Sequence, residues 1–313
     1  MAVRVLIAGA AGVIGHPLTK ILVAAGHDVV AVTRSASRRD LLRAAGAEPV
    51  ICDALDAAAL AGAVRAARPD AVVNQLTALP SRISPRRIAR DIAATNRLRS
   101  EGARNLMAAA ARAGVGHVVA QSLAFAYAPG GDGLRRESDS LHAGAPGAFA
   151  QAVRAVGDLE RETLGTAGVR GAVLRYGYFY GPGTSYAAGG SIAADVRRRR
   201  FPIVGSGSGV FSFIHVSDAA RATLAAVEKR AEGIYNIVDD EPAPVTEWLP
   251  AYARMLGAPA PRRVPVWLGR MLGGSYAVYL MTEMPGAANG YAKAALGWQP
   301  LRSSWRENLA ATS

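Results

Sequence analysis

Between residues 3 and 181, short apolar runs alternate with segments of helical spacing, and this alternation restricts the fold more than any other feature. VRVLIAG (3–9) reads as a strand and VIGHPLTKILVAAG (13–26) as a helix that stops at Gly26. The pairing recurs in DVVAVTR (28–34) with SRRDLLRAAG (37–46), in EPVICD (48–53) with DAAALAGAVRAA (56–67), and in DAVVNQL (70–76) with one or two helices over 88–114. GHVVAQS (116–122) precedes a helix at 149–164, and RGAVLRYGYFYG (170–181) reads as one more strand. Strands joined through helices run parallel, so the expected fold class is α/β with a doubly wound parallel sheet. From residue 178 onward Gly/Pro-rich loops separate short elements, and two pieces, 211–228 and 233–241, read as returning to the sheet. The sheet domain is expected over 1–177, completed by about 211–241. The stretches 178–210 and 242–313 are expected to form a smaller, mainly helical C-terminal lobe.

The first strand-to-helix turn carries Gly9, Gly12 and Gly15 in a G-x-x-G-x-x-G spacing. Glycine permits a tight turn and lets a backbone approach a pyrophosphate, while the following helix N-terminus offers N–H groups and a positive dipole end. In the first βα unit of an alternating chain this is a Rossmann-type dinucleotide site, with Val13 and Ile14 at the helix start. The second strand ends in Thr33-Arg34-Ser35, with Arg38 and Arg39 a turn later, where NAD-preferring chains carry an acidic residue. An arginine fork and a hydroxyl suit a 2′-phosphate, so NADP(H) is favoured over NAD(H). Asp53 ends the third strand, where it either accepts from the adenine amino group or caps the helix that starts near Asp56. Ala54, Leu76, Thr77, Gln121 and Tyr176, at or near the ends of the third to sixth strands, complete the expected cofactor contacts.

Composition removes several alternatives. A single cysteine, Cys52, permits no disulfide framework and no cysteine-based zinc site within one chain. The net charge is +12, but 33 Arg against three Lys reflects a bias of composition. The basic residues are scattered apart from Arg197–Arg200, which end a helical pattern where cations suit the helix dipole. A nucleic-acid partner is therefore not expected. No apolar run approaches the roughly 18 residues of a membrane span, and the N-terminal run fits a core strand better than a signal peptide. A cytoplasmic protein is expected, with no membrane partner and a small-molecule substrate.

Together GAAGVIG (9–15), CDALD (52–56), GARNLMAAA (102–110), VVAQSLAFAY (118–127), LRYGYFYGPG (174–183), FIHVSDAA (213–220), YNIVDDEP (235–242) and ALGWQP (295–300) resemble the extended short-chain dehydrogenase/reductase family, in its epimerase/dehydratase branch. The resemblance covers nearly the whole chain. It implies a Ser or Thr at the end of the fifth strand and a Tyr-x-x-x-Lys on the next helix, where the tyrosine transfers a proton and the lysine lowers its pKa. Ser122 matches the serine and is expected to polarise the substrate oxygen. Glu160 matches the acidic residue four after the lysine, which puts Val156 at the lysine and Ala152 at the tyrosine. A register through Asp158 gives Arg154 and Ala150 instead. Neither has a tyrosine, and no lysine lies between Lys20 and Lys229.

Three readings stand open on these residues. The first is an NADP(H)-dependent oxidoreductase with Tyr178 as the acid, and Tyr186 and Tyr127 in reserve. Tyr176, Tyr178 and Tyr180 alternate along one strand and are expected to share a face, and a cation such as Arg154 would lower the pKa of a catalytic tyrosine. The second is a non-redox isomerase, dehydratase or cyclase on the same scaffold. The third is a nucleotide-sensing regulator. His215 matches a structural position of the family. The family's Asn on the fourth helix aligns better with Arg99 than with Asn96. Nucleotide-sugar relatives carry Arg-Asp before FIHV, and Phe211-Ser212 stands there instead. With MLGGSYAVYLMTEMPGA (271–287), this points to a carbonyl on a small, largely apolar or aromatic metabolite. No metal-spaced cluster is seen, and the resemblance implies a homodimer through the helices at 88–113 and 149–164.

Overall fold

The computed structural model describes residues 2–84, 87–131 and 133–309. Its strands are β1 (Arg4–Ala8), β2 (Asp28–Thr33), β3 (Glu48–Ile51), β4 (Ala71–Asn74), β5 (His117–Leu123), β6 (Arg170–Tyr176), β7 (Tyr178–Tyr180), β8 (Ile203–Val204), β9 (Val210–Phe211), β10 (Phe213–His215) and β11 (Gly233–Ile237), followed by two short strands. The helices used below are α1 (Gly15–Ala24), α2 (Arg39–Ala44), α3 (Ala57–Ala67), α4 (Ile88–Arg97), α5 (Ala103–Arg112), α6 (Phe149–Gly165), α7 (Ser191–Arg197), α8 (Val216–Glu228), α9 (Val245–Met255) and α10 (Val266–Thr282).

Seven strands form one parallel sheet in the order β11-β6-β5-β4-β1-β2-β3. The inner strands are buried on both faces, which is why they read as continuous apolar runs rather than alternating ones. Val5, Ile7, Val29, Ala31 and Val119 pack with Leu18 and Leu22 of α1 and Ala222 and Ala226 of α8. On the other face Leu6, Val30, Val32, Val72 and Val118 pack with Leu60 and Val64 of α3 and Leu106 and Met107 of α5. β1 and β4 are neighbours from which the chain winds outward in both directions, so the crevice for a ligand opens at their C-terminal ends. The remaining core gathers Trp248 and Tyr252 of α9, Phe211, Phe213, Tyr180 and Tyr186, and takes in Ala152, Val153 and Val156 of α6.

The helical stretch at 88–114, expected as one or two helices, is one run in which α4 passes into α5 through a π-helical turn at Leu98–Gly102. One expectation changes. The single strand expected at 170–181 is two. The Gly177 N–H donates to the Ile237 carbonyl at 3.1 Å, and the Tyr178 N–H turns to the Ser212 carbonyl at 2.8 Å. A Cβ on Gly177 would lie 2.5 Å from the Ser212 carbonyl oxygen, so only glycine allows the chain to leave the sheet there. Tyr176 thus ends in the α1/α8 core, while Tyr178 and Tyr180 enter the lobe core, and the three tyrosines share no common face.

Just beyond β11, the Asp239 carboxyl is 1% exposed; one oxygen accepts the Glu241 N–H at 3.3 Å and the other is buried without a partner among the described residues. Burial pushes its pKa up to about 8. The folded state therefore holds a proton that the unfolded chain loses near pH 4, and stability from this group falls as pH rises from about 4 to about 8. Asp239→Asn keeps the shape of the protonated acid. Denaturant midpoints across that window will show the wild-type slope, at most about 1.4 kcal/mol per pH unit, flattened in the variant.

Candidate functional site

The loop between β1 and α1 is built by close approach. Gly9 has φ +90° and a Cβ there would lie 2.5 Å from the Gln75 carbonyl oxygen, while one on Gly15 would lie 2.2 Å from the Gly9 carbonyl oxygen. The Gly12 N–H closes the turn on the Gly9 carbonyl at 3.0 Å. At the start of α1 there is no side-chain cap and no acidic residue in the first turn. The His16 N–H donates to the Gly12 carbonyl at 3.0 Å and Pro17 has no N–H, so the groups left for an anion are the Val13, Ile14 and Gly15 N–H groups, which have no partner among the described residues.

This loop forms one end of a groove of about 630 Å³. Gly9, Gly12, Thr33, Arg34, Ser35, Asp53, Ala54, Leu76 and Thr77 all line it, together with Arg38, Cys52 and Gln75. The Ser35 N–H donates to the Thr33 hydroxyl at 3.2 Å, which turns the chain so that Arg34 and Arg38 share the same end of the groove. Arg39, paired with Arg38 in the sequence, begins α2 and is not part of the lining. Asp56 caps α3 by accepting from the Ala58 and Ala59 N–H groups, so Asp53 is not the cap and faces the groove. The Asn105 amide, within the GARNLMAAA stretch, donates to the Ala54 carbonyl at 3.0 Å and holds that wall.

Several of the expected residues do not line this groove. Val13 sits exposed at the loop tip, whereas the Ile14 side chain is buried in the sheet core, so only its backbone belongs to the turn. The Tyr176 hydroxyl lies behind the groove, 3.3 Å from the Gln75 amide nitrogen that donates to it and within hydrogen-bond distance of Thr223 on α8. Gln121 is half-buried on β5 and does not line the groove.

The catalytic expectations change more. Ser122 is 1% exposed and its hydroxyl donates to Glu160 at 2.6 Å. Glu160 also accepts a fork from Arg175, at 2.8 Å to Nε and 2.6 Å to the terminal nitrogen. The Arg175 guanidinium lies 4.7 Å over the Tyr127 ring, and the Tyr127 hydroxyl donates to Asn236 at 2.7 Å. Ser122 is thus engaged in a buried ionic network facing α6 and is not placed to polarise a substrate oxygen. Leu123, the next residue and on the opposite face, packs in the aromatic core instead.

Tyr178 is stacked between Phe125 and Phe211, with ring centroids at 4.4 and 4.6 Å. Its hydroxyl meets the Met284 sulfur at 3.4 Å. Burial, reinforced by Tyr276 and Tyr186, holds its pKa well above the ordinary value. The cation expected to lower it, Arg154, is exposed on α6. Burial likewise raises Tyr186 well above and Tyr127 to about 12. His215 caps α8 by accepting the Ser217 N–H at 3.2 Å, and burial lowers its pKa to about 4. Phe211 packs on Trp248 at 4.9 Å, and the Ser212 hydroxyl accepts the Ala287 N–H.

Residues 5–238 match the profile of the NAD dependent epimerase/dehydratase family. The chain belongs to that family. It is 48% identical over 312 residues to the 3-diazoavenalumate denitrifying reductase of Streptomyces sp, covering 98% of this chain and 99% of that one. Among solved structures it resembles MoeE5 in complex with UDP-glucuronic acid and NAD at 26% identity and a TM-score of 0.73, covering 98% and 96% of the two chains. It shares its fold with the UDP-glucose 4-epimerase of Thermotoga maritima, at 22% identity and a TM-score of 0.77 over 99% and 97% of the chains. A human epimerase family protein with NADPH gives 22% identity, a TM-score of 0.72, and 98% and 97% coverage. At the family level this epimerase/dehydratase member is an NAD(P)-dependent oxidoreductase of the short-chain type.

Two substitutions separate scaffold from site. Glu160→Gln leaves Arg175 buried without its counter-charge and will cost about 3–5 kcal/mol in chemical denaturation. Ser122→Ala will cost about 1.5–3 kcal/mol, the range for a hydrogen bond to a charged group, while turnover of the folded protein stays unchanged. A collapse of turnover with stability intact would return Ser122 to a catalytic role. Gly9→Ala will abolish dinucleotide binding in a fluorescence titration and destabilise by on the order of 1–3 kcal/mol, through both the positive φ and the clash with Gln75.

Proposed function

We propose that the chain is an NADP(H)-dependent reductase that replaces an aryl diazo group by hydrogen, releasing dinitrogen. The observation that supports this reading is that α6 carries no Tyr-x-x-x-Lys pair. On α6, the two positions that the family resemblance assigns to tyrosine and lysine are Ala152 and Val156, both buried in the apolar core. Tyr178 is surrounded by groups that raise its pKa. Reduction of a carbonyl, the reaction expected from the sequence, leaves an alkoxide that must be protonated.

When bound, the reduced nicotinamide supplies a hydride to the carbon bearing the diazonium group, the C–N bond breaks, and dinitrogen leaves with the bonding electrons. That balance needs no acid. The name of the relative at 48% identity, a diazo-acting denitrifying reductase, supports the same reaction class. The chain's own residues hold and shield. The glycine loop and the free start of α1 take the pyrophosphate, and Arg34, Ser35 and Arg38 take a 2′-phosphate. Phe125, the half-buried outer ring of the stack with Tyr178 and Phe211, offers an aromatic face for an aryl ring. A dry wall matters because water also displaces dinitrogen from aryl diazonium ions, and excluding it protects the substrate from hydrolysis.

Purified protein will be given an aryl diazonium acid and NADPH deuterated at the transferring position. Stoichiometric dinitrogen, with deuterium on the carbon that carried it, is the expected result. A hydroxylated product, or no nitrogen above the enzyme-free rate, rejects the reading. For the cofactor, Arg34→Ala with Arg38→Ala will weaken NADPH binding about 10- to 100-fold and leave NADH binding unchanged. Equal loss for both nucleotides would remove the 2′-phosphate from the argument.

A further inference from the structure

Among the described residues two arginines are buried, and their surroundings differ. Arg175 is 3% exposed and forks onto Glu160. Arg99 is 7% exposed, and no carboxylate faces it among the described residues. Burial pulls its pKa down to about 10, opposed by Tyr276. A guanidinium taken out of water without a counter-charge is costly, and chains that retain one commonly supply the anion from a ligand.

One turn earlier on the same helix, both amide atoms of Asn96 are buried without a hydrogen-bond partner. Arg99 follows three residues later in the chain, and its guanidinium likewise has no hydrogen-bond or ion-pair partner among the described residues. The π-helical turn at Leu98–Gly102 carries Arg99 and packs against α6. Such turns recur at functional sites because they redirect a side chain that a regular helix would expose. Leu98 lines the cofactor groove. Tyr276 stacks at 4.6 Å on Phe149 of α6, the helix this turn packs against, and is electrostatically coupled to both Arg99 and Tyr178, so the turn that carries Leu98 at the groove also borders the aromatic cluster. Tyr276 itself lies two residues beyond Gly274, where α10 is broken by a φ of +75°.

We propose that Arg99, with Asn96 beside it, binds the carboxylate of the substrate, which makes the ligand class an aromatic acid. The inference rests on the reductase reading for placing the substrate in this cleft. A planar fork meets a carboxylate through two parallel hydrogen bonds, and a lysine in its place keeps the charge but loses the fork. Arg99 then acts as a specificity determinant that orients the aryl ring, and takes no part in proton transfer.

The test is calorimetric titration of the NADP-loaded protein with cinnamate and with cinnamamide, neither of which carries a diazo group. The acid is expected to bind at least about tenfold more tightly than the amide. Arg99→Gln is expected to erase that preference while NADPH affinity is unchanged, and Arg99→Lys to keep part of it. Equal binding of acid and amide to the wild type, no binding of the acid, or a preference that survives in Arg99→Gln overturns the assignment. The wild-type comparison decides the matter even if Arg99→Gln does not fold. Failure of the reductase reading shows separately, as absence of dinitrogen release while the acid preference persists.

Discussion

The buried pair between Glu160 and Arg175 sets the geometry on which the rest of the site depends. It joins α6 to β6, and through the Ser122 hydroxyl it also holds β5. The network extends to Tyr127 by the stacked guanidinium and to the β11 strand through Asn236, whose N–H donates to Glu137 at 2.9 Å. Two charges inside a protein are tolerated when their hydrogen-bonding capacity is met, and here both ends of the fork and the second lone pair of the carboxylate are used. With α6 pinned in this rotation, Ala152 and Val156 must face the lobe core.

That rotation has a chemical consequence. The helix face that meets the cleft presents methyl groups, and the one serine at the strand end is turned away to serve the ion pair. What remains at the C-terminal ends of the strands is a dinucleotide groove and stacked aromatic rings, with a buried arginine that no carboxylate faces among the described residues. Such a site can hold, orient and dehydrate, but it has little to offer a developing alkoxide. A substrate whose leaving group departs as a neutral gas asks for no more than this, and an aryl acid would supply the missing counter-charge.

Much of the fold was legible in the chain because a doubly wound sheet writes itself as alternating periods, and the glycine spacing at 9–15 admits few other turns. The arginines after β2 were legible for a similar reason, since the end of that strand always borders the adenosine side of the crevice. Ser122 was misleading by one residue. In a strand the neighbour points to the opposite face, so a motif match cannot distinguish a serine in the cleft from one beneath it. The three alternating tyrosines were misleading because the strand leaves the sheet at Gly177, where the chain at Ser212 crosses. Arg99 was legible only as the position that aligns with the family's helix Asn; its burial was not, because a π-helical turn changes which side of a helix a residue occupies and nothing in the local composition announces it.

The sequence by itself determined the layer architecture, the place of the cofactor loop and the lack of a Tyr-x-x-x-Lys pair on the helix at 149–164. These follow from local patterns and from residue identity, which no packing can alter. Only the tertiary structure decided which side chains face the cleft. That choice depends on the rotation of α6 about its axis, on the crossing at Gly177 and on the π turn before α5. Each is settled by contacts between residues far apart in the chain, such as Glu160 with Arg175 and Gly177 with Ser212, whose energies outweigh any local preference.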